Sequence, residues 1–197
     1  MLGKVTKELL FKGLHLPDLR MLKMLANLKD RKDDTIMLAL VAELAKEGIS
    51  ALDQTKYLHP IMPGPQVFTK KKPTSAEEAD VAFGFRTAKS IGGLDIGQTV
   101  VVKKKGGKGG ERDEGKGGWQ RRGGALGRGD WGVVENAKTD QDPRFDVPAV
   151  GRDTLQAMIE SDCRVLAIEA YRTIFAEKEA VLEEADRKGI VIMAVEQ

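Results

Sequence analysis

The chain has 197 residues, of which 41% are apolar and 31% charged, a composition that supports the buried core of a soluble domain. The net charge of +2 argues against a general nucleic-acid partner, and a single cysteine, Cys163, excludes an internal disulfide and a cysteine metal cluster. No apolar run reaches the roughly 20 residues of a membrane-spanning helix, and the start does not resemble a secretory leader, so we expect a cytoplasmic protein.

Hydrophobic periodicity predicts three helices in the first half of the chain. They cover residues 19–29, 34–47 and 74–91. The third opens with the capping-box spacing Thr74-Ser75-Ala76-Glu77 and stops at Gly92-Gly93. Prolines break residues 56–73 into a loop, and the β-branched run Thr99–Val102 predicts a buried strand.

Residues 103–132 depart from this regular pattern. They are dominated by Gly, Lys, Arg, Asp and Glu and have almost no apolar periodicity, which predicts a disordered or aberrant segment. Basic, Gly-rich segments can also track phosphates, so a small phosphate-contacting binding module is an alternative function. Only Trp119 is available there to stack on a base, and acidic residues dilute the positive charge.

The last third of the chain predicts an α/β fold with a mixed sheet flanked by helices. Order returns near Gly132–Val134. Helices are predicted over residues 153–161 and 176–188, and strands over residues 165–168 and 190–195. The strand–helix–strand order at the end predicts a parallel βαβ unit.

The densest polar feature is the run KTDQDPRFDVP, residues 138–148, which we call the candidate loop. Its polar side chains are three carboxylates, two cations and an amide: Lys138, Asp140, Gln141, Asp142, Arg144 and Asp146. Pro143 and Pro148 prevent a regular helix. Such a loop can aim carboxylates at a hard cation such as Mg²⁺ while Lys or Arg holds a phosphate. A solvated surface turn is the alternative.

A second, weaker candidate is the turn Asp95-Ile96-Gly97-Gln98 before the predicted strand. Gly97 permits close approach of the backbone to a ligand, and an ordinary turn is the alternative. His15 and His59 lie far apart in the sequence, so we expect surface or packing roles for both.

Several motifs share their order and spacing with one protein family. They are KTDQDPRFDVPAVG at 138–151, GGLDIGQTVVVK at 92–103, KDDTIMLALVAELAKEGI at 32–49, Ile168-Glu169-Ala170 and the final strand at 190–195. Together they resemble the LpxI family of UDP-2,3-diacylglucosamine pyrophosphatases. The resemblance implies a hydrolase of lipid A biosynthesis that uses a divalent cation, typically Mg²⁺. It also implies two domains with the ligand between them, a homodimer, and peripheral contact with the inner-membrane surface.

The family reaction cleaves the pyrophosphate into UMP and 2,3-diacylglucosamine 1-phosphate (lipid X). By resemblance, Asp142 is the catalytic carboxylate, and Asp142 and Asp146 are the metal ligands. The substrate-binding residues that the resemblance implies are Lys138, Gln141, Arg144, Gly97, Gln98 and Gly115.

Two departures from the family pattern predict impaired catalysis. The resemblance implies that residues 1–12 are the remnant of a preceding α/β domain and that residues 13–197 form the catalytic domain. A VEAIEGTD-like family motif is replaced by KGGERDEGKGG, in which Lys116 stands for Thr and Gly117 for Asp. An inactive, truncated relic of the enzyme is therefore a further alternative.

Overall fold

The computed structural model describes residues 18–29, 33–93, 99–110, 131–137, 142, 144 and 147–197. The chain divides into two compact units. The first holds Met1–Lys56 with Asp142–Asp146, and the second holds Tyr57–Gln141 with Val147–Gln197. The divisions lie between residues 56 and 57, 141 and 142, and 146 and 147. The domain boundary between residues 12 and 13 stays a prediction.

Two helices, α1 (Leu19–Ala26) and α2 (Asp33–Ala45), belong to the first unit. Helix α1 begins at Asp18, whose side chain accepts the Met21 N–H at 2.7 Å as an N-cap. Arg20 of α1 pairs with Glu43 at 2.7 Å and with Glu47 at 2.9 Å. These ion pairs lie at the surface, where solvent screens them, so they hold the two helices together only weakly. Both predicted helices are confirmed, each ending two or three residues early.

The run predicted as a loop over residues 56–73 contains three short elements. They are helix α3 (Thr55–Leu58), a 3-10 turn (His59–Ile61) and strand β1 (Gln66–Val67). Helix α4 (Ser75–Gly93) follows, and its predicted capping box is confirmed. The Thr74 N–H and hydroxyl donate to Glu77 Oε2 at 2.6 and 2.8 Å, and the Glu77 N–H donates back to Thr74 Oγ1 at 3.3 Å.

Within the described residues, six strands form one mixed sheet. Besides β1, they are β2 (Thr99–Lys103), β3 (Gly106–Gly110), β4 (Trp131–Glu135), β6 (Cys163–Glu169) and β8 (Val191–Val195). Their order across the sheet is β1-β8-β6-β4-β2-β3. Strands β4, β6 and β8 are parallel, whereas β1, β2 and β3 pair antiparallel with their neighbours. Strands β5 (Ala149–Val150) and β7 (Ile174–Phe175) form a separate parallel pair.

Helices cover both faces of the sheet. Helix α4 packs Val81, Phe85 and Ala88 against one face. Helices α5 (Arg152–Glu160) and α6 (Lys178–Lys188) pack Leu155, Met158, Val181 and Ala185 against the other. The predicted α/β fold with a mixed sheet is confirmed, and β6, α6 and β8 form the predicted parallel βαβ unit. Among the helices that the structure describes, none has the length and apolar character to cross a membrane.

The prediction of a loop from residue 103 onward is wrong for residues 103–110. Lys103 ends β2, and β3 pairs with β2 as an antiparallel hairpin. Lys104 and Lys105 form the tight turn with φ of 51° and 53°, as in a type I′ turn. Asp80 of α4 accepts their backbone N–H groups at 2.8 and 2.6 Å. Residues 111–130 lie outside the described residues, and strand β4 begins at Trp131, one residue before Gly132.

Candidate functional site

Asp142 and Arg144 meet within the candidate loop. Arg144 Nε lies 2.9 Å from Asp142 Oδ1, and Arg144 Nη2 lies 2.6 Å from Asp142 Oδ2, a two-point contact between guanidinium and carboxylate. The Arg144 backbone N–H also donates to Asp142 Oδ1 at 3.0 Å, which closes a turn around the aspartate. The side chains are 21% and 32% exposed, so the pair is half-buried. The structure thus brings together two of the residues that the sequence predicted as site residues.

The ion pair sets the protonation of the aspartate. The Arg144 guanidinium holds the pKa of Asp142 below its usual value. Burial opposes this shift but is a smaller effect than the guanidinium, and the hydrogen bond from the Arg144 N–H lowers the pKa further. A carboxylate with a lowered pKa is a weaker proton acceptor. General-base catalysis favours a group whose pKa lies near the working pH. An ionised carboxylate is, however, a good ligand for Mg²⁺. The sequence left open whether Asp142 ligates a metal or accepts a proton, and either role would require one of its oxygens to leave Arg144.

All the other predicted site residues lie outside the described residues. They are Lys138, Gln141, Asp146, Gly97, Gln98 and Gly115. Within the part of the chain that is described, no group of three His, Cys, Asp or Glu side chains is placed to hold a metal. The Asp142 carboxylate by itself still fits Mg²⁺, because this ion commonly takes one or two protein carboxylates and fills its shell with water and substrate phosphate.

Three buried polar residues lie at the carboxyl ends of the parallel strands β4 and β6. Glu135, Asn136 and Glu169 are 2%, 3% and 6% exposed. The Thr99 hydroxyl donates to Glu135 Oε2 at 2.7 Å, and the Ala137 N–H donates to Glu169 Oε2 at 2.8 Å. In open sheets with parallel strands, ligands bind outside this edge. The sequence analysis did not predict any of the three as a site residue.

Backbone strain occurs at the same edge. Tyr171, two residues after the end of β6, has a φ of 60°, in the left-handed region that bulky residues rarely adopt. Its N–H donates to Pro63 O at 2.9 Å. Its ring packs on Gly64, where an added Cβ would lie 2.8 Å from Tyr171 Oη. Strained residues held by their surroundings concentrate at functional sites, which supports placing function at this edge.

Comparison with known families accounts for nearly the whole chain. The model of the LpxI N-terminal domain matches residues 1–61, and the model of the LpxI C-terminal domain matches residues 64–193. The chain belongs to the LpxI family. This confirms the resemblance drawn from the motifs. The N-terminal match extends far beyond residues 1–12, the part that the sequence analysis assigned to a domain remnant.

A curated relative gives the same assignment. The UDP-2,3-diacylglucosamine pyrophosphatase LpxI of Caulobacter vibrioides is 29% identical over 192 residues. The match covers 92% of this chain and 69% of the Caulobacter protein. The relative is named as a pyrophosphatase of UDP-2,3-diacylglucosamine, and this chain is similar to it along almost all of its own length.

Proposed function

We propose that the chain hydrolyses the pyrophosphate bond of UDP-2,3-diacylglucosamine and releases UMP and lipid X. The observation that carries the proposal is the ionised Asp142, held by Arg144 within the loop that resembles the family motif. Membership of the LpxI family and the name of the Caulobacter relative support the choice of substrate. The homodimer, the cytoplasmic location and contact with the inner-membrane surface stay predictions.

The chemistry of a pyrophosphate explains why an Asp–Arg pair suits it. Its negative charge repels an attacking water, so catalysis depends on positioned positive charge. Asp142, with Asp146 as the second ligand expected from the family, would hold a Mg²⁺ ion, which would supply that charge and lower the pKa of bound water. Arg144 presents a planar fork of donors that matches phosphate oxygens. Asp142 is ionised at neutral pH, as an ordinary aspartate is, and the contact with Arg144 lowers its pKa further.

The decisive experiment measures release of UMP from UDP-2,3-diacylglucosamine with Mg²⁺ and with chelator. Asp142→Asn keeps the size of the side chain but removes its charge, and we expect kcat/KM to fall about 100-fold. Asp53→Asn is the matched control, because Asp53 Oδ1 accepts the Thr55 N–H at 3.0 Å in the same local turn geometry. The proposal is contradicted if Asp142→Asn is as active as wild type, or if the rate of UMP release does not depend on Mg²⁺.

The departures at Lys116 and Gly117 favour a slow enzyme or, as the second candidate, an inactive relic. Misplacement of catalytic groups by about 1 Å can reduce a rate about 100-fold, and the family carboxylate expected at position 117 is absent. We expect Lys116→Thr combined with Gly117→Asp to raise kcat above that of the unaltered chain. No release of UMP by either protein favours the relic.

A further inference from the structure

We propose that the ring of Tyr171 is a stacking surface for the uracil base of the nucleotide. The choice of uracil rests on the proposed function, because uracil is the planar group of UDP-2,3-diacylglucosamine. The residues that form the surface all belong to the second compact unit. Binding of a uracil nucleotide to this surface is measurable without catalysis.

Tyr171 occupies a backbone position that is suited to glycine. The turn from Glu169 to Arg172 is closed by a hydrogen bond of 3.4 Å from the Arg172 N–H to Glu169 O, and Tyr171 is its third residue, with a φ of 60°. Turns with a positive φ at the third position favour Gly or Asn. A glycine would adopt this conformation without strain, so the turn itself gains nothing from a tyrosine. The strain therefore points to a role for the side chain.

The ring has a rigid support on one side and is accessible elsewhere. A Cβ added at Gly64 would lie 2.8 Å from Tyr171 Oη and 3.0 Å from its Cε1 and Cζ, so only glycine admits the ring at this distance. Pro63 and Pro65 flank Gly64 and restrict the backbone beneath the ring. Tyr171 nevertheless stays 50% exposed. A fixed aromatic ring with an accessible surface is what the stacking of a base requires.

The segment that supports Tyr171 is apolar and uncharged. Strand β1 runs antiparallel to β8, so the segment before β1 lies at the same carboxyl edge as the end of β6, where ligands of parallel sheets bind. Among the described residues of the second unit, the exposed large hydrophobic side chains are Tyr57, Ile61 and Tyr171. No Asp, Glu, Lys or Arg occurs from residue 57 to residue 69, although 31% of the chain is charged. This surface suits the face of a base, whereas a flexible acyl chain would not need one strained and supported ring.

The test measures the affinity of the folded protein for UMP and for ribose 5-phosphate, which lacks the base. Tyr171→Gly removes the ring and the strain together, whereas Tyr171→Phe keeps a ring that can stack. Gly64→Ala displaces the ring through its added methyl group. Tyr57→Ala is the matched control, because Tyr57 is the other tyrosine of the chain and is more exposed than Tyr171. Melting temperatures are measured for the same variants.

We expect wild type to bind UMP about tenfold more tightly than ribose 5-phosphate, because stacking of a base on an aromatic side chain adds affinity. Tyr171→Gly and Gly64→Ala should bind UMP about tenfold more weakly and bind ribose 5-phosphate as before. Tyr171→Gly should also melt at or above the wild-type temperature, because the turn is relieved of strain. Tyr171→Phe and Tyr57→Ala should bind both ligands as wild type does.

The stacking surface is overturned if wild type does not bind UMP, if Tyr171→Gly binds UMP as tightly as wild type, or if it loses affinity for both ligands equally. A Tyr171→Gly protein that melts below wild type overturns the claim that the strain serves binding, since the ring then stabilises the fold. The proposed function fails separately. If UMP binding depends on Tyr171 but no UMP is released from UDP-2,3-diacylglucosamine, the stacking surface is supported and the pyrophosphatase activity is contradicted.

Discussion

Carboxylates secure both ends of strand β2, and they do so in different surroundings. At the start of β2, Thr99 donates to Glu135, and both residues are almost fully buried. Beyond its other end, Asp80 accepts the N–H groups of Lys104 and Lys105, both exposed. In the exposed turn, water can replace a lost partner, whereas a buried group left without one bears the full loss of solvation. Only the first end places a carboxylate where the fold alone favours apolar residues.

Between these two ends lies the packed centre of the sheet, where we expect the largest loss of stability. A Cβ at Gly84 of α4 would lie 2.5 Å from Val134 Cγ2 and 2.8 Å from Val102 Cγ2. Gly84→Ala should destabilise the fold by about 1–3 kcal/mol despite alanine's better helix propensity, because the core has no room for a methyl group. Gly93→Ala, with nothing within 4 Å, is the control for denaturant unfolding. Similar effects of the two changes would show that α4 does not approach the sheet this closely.

The buried end of β2 should show the next largest effect. Thr99→Val removes the hydroxyl that donates to Glu135 at 2.7 Å, and we expect a loss of about 1–3 kcal/mol. Thr173 offers a contrast, because its buried Oγ1 has no hydrogen-bond partner among the described residues. Thr173→Val should therefore be neutral or stabilising. Thermal unfolding distinguishes the pair, and a larger loss at Thr173 would contradict the assignment of the buried hydrogen bond.

The exposed end should respond more mildly. Asp80→Ala removes the acceptor of two N–H groups in a solvated turn, and we expect a loss of about 1 kcal/mol. Hydrogen exchange at Lys104 and Lys105 should rise at the same time. If Asp80→Ala loses as much stability as Thr99→Val, the two ends of β2 do not differ in the way that we expect.

The smallest effect on stability is expected from the ion pair of the candidate loop, and it depends on pH. Because the folded-state pKa of Asp142 lies below its usual value, the pair stabilises the fold above about pH 4 and loses this contribution as the pH falls through the folded pKa. Arg144→Ala should raise the pKa of Asp142 toward its usual value. Carboxyl carbon NMR measures this directly, and an unchanged pKa would rule out Arg144 as the cause.

The parts of the structure predicted from sequence depend on local patterns. Hydrophobic periodicity predicted the longer helices and the buried strands, and the spacing of Thr74 and Glu77 predicted the start of α4. Asp142 and Arg144 were found together because they lie in one short loop. Strand β3 was missed because Gly106–Gly110 has no apolar alternation and is defined by its pairing with β2.

The buried carboxylates were missed for a different reason. Glu135 and Glu169 find their partners 36 and 32 residues away along the chain, at Thr99 and Ala137. Their roles depend on which strands become neighbours, and spacing within the sequence does not contain that information. A glutamate at the end of an apolar strand signals burial only once the strand order is known.

We expect Asp142 to perform the chemistry and the buried hydrogen bond between Thr99 and Glu135 to stabilise the fold. The most direct measurement compares Asp142→Asn with Thr99→Val for both melting temperature and kcat of Mg²⁺-dependent UMP release. The account predicts that Asp142→Asn keeps its melting temperature and loses kcat about 100-fold, whereas Thr99→Val melts earlier and keeps kcat while folded. A stable Thr99→Val protein without activity, or an active Asp142→Asn protein, would contradict it.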